Sequence, residues 1–176
     1  MTGVVRYVAL FRGINVGRGK PLAMAELRLA LEGMGFRDVA TILRSGSAVF
    51  SSAARPLGED IEEAVLGRTG VRSAVIVLSG AEFAEIAMAN PLLDSIADGS
   101  KGFVTFADDP VSGIRLPDPA PLAPELIALG DRAVYQWMPE GSMRTRVPRS
   151  FWTQFTGTLT ARNQNTVEKV LALLRE

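Results

Sequence analysis

The first half of the chain switches between two hydrophobic periodicities in an order that few folds can accommodate. Short apolar runs rich in strand formers occupy Val4–Phe11, Val39–Leu43, Ala48–Ser51 and Ala74–Leu78. Apolar residues at helical spacing lie between the first and second runs, and again between the third and fourth. The tight turn Ser45-Gly46-Ser47 makes the middle two runs a hairpin. The resulting order, β-α-β-β-α-β, is the ferredoxin-like supersecondary pattern and predicts an α+β fold.

Prolines and glycines mark the ends of the two helices in this half. Pro21 suits the first position of the first helix, and Gly33 and Gly35 end its apolar pattern. Pro56 and Gly58 open the second helix in the same way. Each helix is therefore predicted from its boundaries as well as from its periodicity.

The second half of the chain is less regular, and its residues show no convincing repeat of the first half. Ser79 and Glu82 fit a capping box, and the helix that they open ends near Asn90-Pro91 because proline resists continuation. The other predicted elements are a strand at Gly102–Phe106, a helix at Pro124–Leu129, a strand at Ala133–Met138, a short helix at Ser150–Phe155 and a last helix capped by Asn165.

The composition excludes several kinds of chemistry. Cys and His are both absent from the 176 residues, which removes thiolate nucleophiles, histidine-based triads and the common transition-metal ligand sets. No metal and no cofactor are therefore expected. Basic and acidic residues number 19 each, and this balance argues against non-specific nucleic-acid binding while leaving a local basic patch open.

The sequence favours a cytoplasmic location. Its first residues lack the basic start, apolar run and cleavage site of a signal peptide, and no run approaches the length of a transmembrane helix. The absence of Cys fits a reducing compartment. We expect no membrane partner, and the sequence leaves the oligomeric state open.

Two polar clusters stand out against this apolar chain, one at each end of the sequence. Arg12-Gly13-Ile14-Asn15-Val16-Gly17 follows the first strand, and Thr160-Ala161-Arg162-Asn163-Gln164-Asn165-Thr166 precedes the last helix. If the fold brings them together, they line a donor-rich pocket that suits an anion or another polar ligand. The predicted ligand-binding residues are Arg12, Asn15, Ser45, Arg162, Asn163 and Asn165.

Each cluster also has a purely local interpretation. The first does not match a phosphate-binding Walker A loop, since five residues separate Gly13 from Gly19-Lys20 and Pro21 stands where a hydroxyl is required. Asn15 could instead bond its own backbone in a strand-to-helix turn. Asn165 is favoured as a helix cap. Arg18 and Lys20 would add positive charge to the first cluster.

Two other patterns leave alternatives open. A basic run beside aromatic residues could bind a nucleic-acid backbone and stack bases, or it could be a solvated loop followed by core residues. Its members are Arg144, Arg146, Arg149, Phe151 and Trp152. Asp108-Asp109 could hold Mg²⁺, although adjacent carboxylates in a turn are usually only solvated.

Several segments of the chain resemble a bacterial family called domain of unknown function 1697. The segments are Tyr7–Gly17, Met24–Leu27, Gly35-Phe36, Ser45-Gly46, Val49–Ser51, Asn90-Pro91 and Thr160–Val167. The resemblance implies a tandem pair of ferredoxin-like units, one over residues 1–78 and a degenerate one over 79–176 that ends in a helix. It implies no activity and no catalytic residue. Arg44-Ser45-Gly46-Ser47 departs from the family's Gln-Ser-Gly-Asn, which favours a different or more anionic ligand.

The expected function is binding of a polar or anionic small molecule, with any catalysed reaction left open. One alternative is an enzyme that acts on a phosphorylated or nucleotide-like substrate through electrostatic stabilisation by arginines. Another is an RNA-associated module, which requires exposed aromatics on a sheet face, with Tyr7 and Phe11 as candidates.

Overall fold

The computed structural model describes residues 3–15, 19–42 and 45–176. Within these residues the protein is a mixed α+β structure with two four-stranded antiparallel sheets and five α-helices, which confirms the predicted class. The strands are β1 (Val5–Phe11), β2 (Arg37–Ile42), β3 (Ser47–Ser52), β4 (Val75–Ser79), β5 (Gly102–Ala107), β6 (Leu126–Leu129), β7 (Ala133–Trp137) and β8 (Leu159–Asn163). The helices are α1 (Met24–Gly33), α2 (Gly58–Thr69), α3 (Gly80–Met88), α4 (Arg149–Trp152) and α5 (Gln164–Leu174).

The first sheet has the strand order β2-β3-β1-β4, with every neighbouring pair antiparallel. β1 is central, and it is buried from Tyr7 to Phe11 without a break, which explains why its sequence is a continuous apolar run. The elements from β1 to β4 follow the predicted order β-α-β-β-α-β. Leu43, the last residue of the predicted second strand, lies outside the described residues.

The helices between these strands bury an apolar stripe in one core. Its most buried members from both helices and the sheet are Leu27, Leu31, Ile61, Val65, Phe11 and Phe50. α2 ends at Gly70, whose φ of 71° is left-handed, and the Gly70 N–H closes the last turn by donating to the Leu66 carbonyl at 2.8 Å. Glycine adopts this backbone without the strain that a Cβ would cause.

The second sheet has the order β6-β7-β5-β8 and is also antiparallel throughout. Its strands, taken in chain order, occupy the same relative positions as those of the first sheet. The connection between β5 and β6 is Pro-rich and contains a 3₁₀ turn at Ala120–Leu122, whereas α1 connects β1 and β2. Proline cannot donate a backbone hydrogen bond and disfavours a helix interior, so this connection stays irregular.

The predicted helix at Pro124–Leu129 is wrong, because this segment contains the strand β6. Residues 126–129 pair with β7, from Leu126 opposite Trp137 to Leu129 opposite Val134. The run Leu-Ile-Ala-Leu fits a helix or a strand equally well, and pairing with a distant segment decides between them. β8 likewise forms through pairing with β5, although its sequence predicts only a polar cluster.

Two predicted helix starts also need correction. α1 begins at Met24 rather than Pro21, because the backbone of Leu22 is engaged by a side chain from the preceding loop and cannot join the helix. α5 begins at Gln164, directly after β8, so Asn165 lies inside the helix and does not cap it. The cap is Asn163, whose Oδ1 accepts the Thr166 N–H at 2.9 Å.

The predicted capping box of α3 is confirmed. Ser79 Oγ accepts the Glu82 N–H at 3.2 Å, and Glu82 Oε2 accepts the Ser79 N–H at 2.7 Å. The helix ends at Met88, just before Asn90-Pro91 as expected. The four-residue signal therefore located this helix correctly from sequence.

The chain divides into two compact units. The first unit comprises the described residues up to Ala84 together with Glu168–Glu176, and the second comprises Glu85–Val167. The boundary between residues 78 and 79 that the sequence suggested stays a prediction. Across the described ranges, no helix combines the length and the apolar character needed to cross a membrane.

Candidate functional site

Asn15 organises the loop that follows β1. Its Oδ1 accepts the Leu22 N–H at 2.7 Å, and its Nδ2 donates to the Leu22 carbonyl at 3.1 Å. Its backbone has a φ of 57°, a left-handed conformation that Asn tolerates better than most residues. As the local interpretation predicted, the Asn15 amide bonds to backbone groups, but these groups belong to Leu22 and not to Asn15 itself.

The hairpin turn lies beside the end of β1, because the Phe11 N–H donates to the Gly46 carbonyl at 2.8 Å. Gly46 has a φ of 67°, and a Cβ there would lie only 2.7 Å from the side chain of Ile14. The Ser45 hydroxyl lies 3.4 Å from the Ile42 carbonyl and 3.2 Å from the Ser47 hydroxyl. Arg12 and Ser45 thus belong to the same end of the first sheet.

Three exposed basic residues adjoin or belong to the segment 69–74, which connects α2 to β4. The Arg12 N–H donates to the Ala74 carbonyl at 2.9 Å, and Ser73 Oγ donates to the Arg12 carbonyl at 2.8 Å. Lys20 Nζ donates to the Thr69 carbonyl at 2.6 Å. Arg72 is exposed and belongs to the segment itself. We call Arg12, Lys20 and Arg72 the basic edge.

The charges of the basic edge are available to a ligand. Within the residues that the structure describes, none of the three side chains makes an ion pair. The nearby carboxylate of Glu62 bonds to the backbone instead of to these cations, since its Oε1 accepts the Val75 N–H at 2.9 Å. Cations that lack a carboxylate partner leave an unbalanced positive field at the surface, which attracts anions.

Several residues of the predicted N-terminal site are not placed. Val16, Gly17, Arg18 and Arg44 lie outside the described residues. The expectations that Arg18 adds charge to the site and that Arg44 makes the ligand more anionic therefore stay predictions. The basic edge is defined without these residues.

Arg162 lies on β8 and is buried. Its Nη1 donates to Thr160 Oγ1 at 2.7 Å and to the Ala161 carbonyl at 2.8 Å. Burial lowers the pKa of Arg162 to about 10, which leaves the guanidinium charged at neutral pH. The side chain is only 6% exposed, so a ligand from solvent would reach it less easily than the exposed Arg12.

The two asparagines near Arg162 have different surroundings. Asn163 holds the first turn of α5 through its contact with Thr166. Asn165 is exposed, and its backbone N–H donates to the Gly99 carbonyl at 3.4 Å. A Cβ on Gly99 would lie 2.1 Å from Asn165 Oδ1, so the side chain packs against this glycine.

The six predicted ligand-binding residues are distributed over both units. Arg12, Asn15 and Ser45 belong to the first unit, and Arg162, Asn163 and Asn165 belong to the second. The structure brings the first three together at one end of a sheet and the last three together where β8 meets α5. A single pocket lined by both groups stays a prediction.

The other sequence patterns are accounted for locally. Arg146 pairs with Glu140 at 3.2 Å, and Phe151 is buried in an aromatic cluster with Trp152 and Phe155, as the structural interpretation of the basic run requires. Tyr7 and Phe11, the aromatics proposed for base stacking, are buried instead of exposed. The described part of the chain contains no group of three or more acidic residues that could hold a metal ion.

Sequence reasoning missed Arg72 as a member of the basic edge. Only the strand topology indicates that Arg72 lies beside Arg12, because the antiparallel pairing of β1 with β4 places the residues after β1 beside those before β4. A guanidinium in an otherwise unremarkable stretch, Gly70-Val71-Arg72-Ser73, carries no motif of its own.

Comparisons with known proteins agree with this architecture. A model of the family described as Protein of unknown function (DUF1697) matches residues 4–135, so the closing motif Thr160–Val167 lies outside the match. No curated protein matches the chain. The solved structure of a conserved bacterial protein, SP0830 from Streptococcus pneumoniae, is similar with a TM-score of 0.71 and 23% sequence identity, covering 98% of this chain and 99% of that one. This likeness concerns the fold.

Proposed function

The chain belongs to the DUF1697 family of proteins of unknown function, and from that premise we propose that it binds a small anion at the basic edge. The observation that carries the proposal is that three exposed basic residues meet at one segment of the first unit: the backbone of Arg12 and the ammonium of Lys20 bond to it, and Arg72 belongs to it. Like charges on neighbouring residues repel, and a bound anion offsets that repulsion.

The chemistry of the three side chains favours a phosphate group. A guanidinium donates two parallel hydrogen bonds to adjacent oxygens, and an ammonium adds a compact point charge. Two of the cations are guanidinium groups, on Arg12 and Arg72, and the ammonium of Lys20 has donors left after it bonds the Thr69 carbonyl. A phosphate ester or an inorganic phosphate offers enough oxygens for all three.

In this proposal Asn15 positions the site and does not contact the ligand. Both ends of its amide are engaged by Leu22, so it fixes the path of the loop between Arg12 and Lys20. This assignment changes the role predicted for Asn15 from sequence. The contribution of Ser45, Arg162, Asn163 and Asn165 to ligand binding stays a prediction.

Calorimetric titration with inorganic pyrophosphate tests the proposal on the full chain. We expect the wild type to bind, and the double variant Arg12→Gln/Arg72→Gln to bind at least tenfold more weakly. Loss of one hydrogen bond to a charged group costs about 1.5–3 kcal/mol, and about 1.4 kcal/mol corresponds to a factor of ten. The double variant should unfold at the same temperature as the wild type without ligand, because both side chains are exposed.

A matched control distinguishes a specific binding site from general attraction of anions by positive charge on the protein. Arg28→Gln/Arg37→Gln removes the same charge from exposed positions on α1 and β2. This variant should bind pyrophosphate within about twofold of the wild type, since neither arginine belongs to the segment 69–74 or to the loop that follows β1. Equal losses in both double variants, or no binding of pyrophosphate, phosphate or sulfate by the wild type, would reject the proposal.

We also propose that each unit is built on a ferredoxin-like pattern and that the protein acts in the cytoplasm. The shared strand order of the two sheets and the β-α-β-β-α-β order from β1 to β4 support the first point. The absence of Cys supports the second. Ferredoxin-like units serve many functions, so neither point bears on the ligand.

A further inference from the structure

We propose that a cavity in the second unit binds a small primary amine in its ammonium form. The cavity has a volume of about 100 Å³ and lies where the loop after β5 meets the segment between α4 and β8. It is separate in sequence from every residue of the basic edge, and its chemistry is opposite. The proposal is therefore independent of anion binding.

The charge of the cavity selects a cation. Among the described residues that line it, Asp109 alone carries a charge, and the other polar groups are neutral hydroxyls and an amide. Asp109 is exposed, and its carboxylate makes no hydrogen bond or ion pair with any described residue. An ammonium group would supply the missing partner through charge-assisted hydrogen bonds.

Gly157 leaves room for this carboxylate, because it has no side chain. A Cβ on Gly157 would lie 2.5 Å from Asp109 Oδ2, a distance that real side chains do not tolerate. The carboxylate therefore lies directly against the glycine, at the wall of the cavity. Any side chain at position 157 would displace it without changing its charge.

The rest of the cavity suits a short apolar chain. Its apolar walls include Val111, Ile114, Phe155 and Leu159. Phe155 is held by edge-on contact with Phe151, with ring centroids 5.6 Å apart. Apolar carbon on the ligand would be removed from water here, at about 25 cal/mol per Å² buried. An aromatic ring near an ammonium adds cation–π attraction.

The walls are fixed before a ligand arrives. Gln154 joins the two sides, because its Oε1 accepts the Arg115 N–H at 2.9 Å and its Nε2 donates to the Arg115 carbonyl at 3.0 Å. The Asp108 N–H donates to the Thr158 carbonyl at 3.0 Å. Preformed walls reduce the entropy cost of binding.

Two competing interpretations are weaker. A metal ion would need more ligands, and the described residues contain no group of three acidic side chains around Asp109. An anion would need a lining cation. Arg132 contacts this loop, but its Nη2 donates to the carbonyls of Ala107 and Asp108. Arg115 contacts Gln154 through its backbone, and neither arginine lines the cavity.

Titration of the full chain with n-butylammonium chloride, followed by amide NMR shifts, tests the proposal. We expect saturable shifts at Thr156, Gly157 and Thr158 with n-butylammonium, and affinities at least tenfold lower for n-butanol and butanoate. Asp109→Asn should weaken n-butylammonium binding at least tenfold. Gly157→Ala should weaken it too, although the charge is retained, because the new methyl group displaces the carboxylate.

Asp108→Asn is the matched control, because it removes the same charge from the adjacent exposed residue, which does not line the cavity. Its affinity for n-butylammonium should stay within about twofold of the wild type. The proposal is overturned if Asp108→Asn and Asp109→Asn have equal effects, if n-butanol binds as tightly as n-butylammonium, or if no saturable shift occurs at the cavity.

Discussion

Asn15 and Leu22 are joined by both polar ends of one amide, with Oδ1 accepting the Leu22 N–H at 2.7 Å and Nδ2 donating to the Leu22 carbonyl at 3.1 Å. The pair closes the loop between β1 and α1, and it delays the start of α1 to Met24. Leu22 itself is buried in the core of the first unit. A residue that looked like a ligand contact therefore connects the loop to the core.

Asn15→Ala should destabilise the protein by about 2 kcal/mol or more. Two hydrogen bonds worth about 1 kcal/mol each are lost, and the φ of 57° adds strain for alanine. Thermal unfolding should show a decrease in Tm of roughly 4–8 °C for a chain of this size. Asn15→Gly provides the control, since it loses the same hydrogen bonds without the backbone strain and should be less harmful than alanine. Equal stability of Asn15→Ala and wild type would contradict the closing role of this amide.

Gly46→Ala should destabilise the protein more than Gly113→Ala does. Both glycines have nearly the same left-handed backbone, with φ of 67° and 66°, so both substitutions cause similar strain. Only at Gly46 would the new Cβ collide with a buried side chain, that of Ile14, at 2.7 Å, while nothing lies within 4 Å at Gly113. We expect urea unfolding to show an extra loss of about 1–3 kcal/mol at Gly46, the usual cost of overpacking. Equal losses would mean that Ile14 moves aside freely.

The order of elements was predictable wherever local signals agreed with the final pairing. Ser79 and Glu82 located α3 because a capping box depends on residues three apart and on nothing distant. Residues 126–129 were misassigned because their pairing partner, β7, decides their conformation. Where pairing with a distant strand decides the conformation, the residues of the segment alone do not predict it.

The candidate site residues stay predictions as ligand contacts. Arg12 is an exposed cation just after β1, which is compatible with a ligand contact, whereas Asn15 and Asn163 stabilise a loop and a helix end. Asn and Arg serve in caps, loops and ligand sites with the same donors, so composition alone does not separate these roles. Asp109 was noted from sequence as a possible Mg²⁺ ligand beside Asp108, and only its position against Gly157, far along the chain, indicates the amine site.

Glu82→Gln should reduce the dependence of stability on pH in the acidic range. Burial raises the pKa of the Glu82 carboxyl, but hydrogen bonds from Arg55 and Ser79 and the charge of Arg55 outweigh burial, so its pKa lies below the ordinary 4.5. A carboxyl with a lowered pKa stabilises the fold above its unfolded pKa and loses that contribution as pH falls through its folded pKa. Urea midpoints from pH 6 down to about pH 3 should decrease less steeply in the variant. An unchanged slope would contradict the role of this carboxylate.

Asn163→Ala should cost more stability than Asn165→Ala, because the cap of α5 is at Asn163. Loss of an N-cap side chain costs about 1 kcal/mol, whereas an exposed side chain without a hydrogen bond costs about 0.5 kcal/mol or less. Asn163 Oδ1 accepts the Thr166 N–H, while the side chain of Asn165 makes no hydrogen bond with the described residues. Urea unfolding of the two variants checks this order, and Asn163→Asp, which keeps the acceptor oxygen, should recover most of the loss. If Asn165→Ala is the more harmful change, the cap lies where the sequence first suggested.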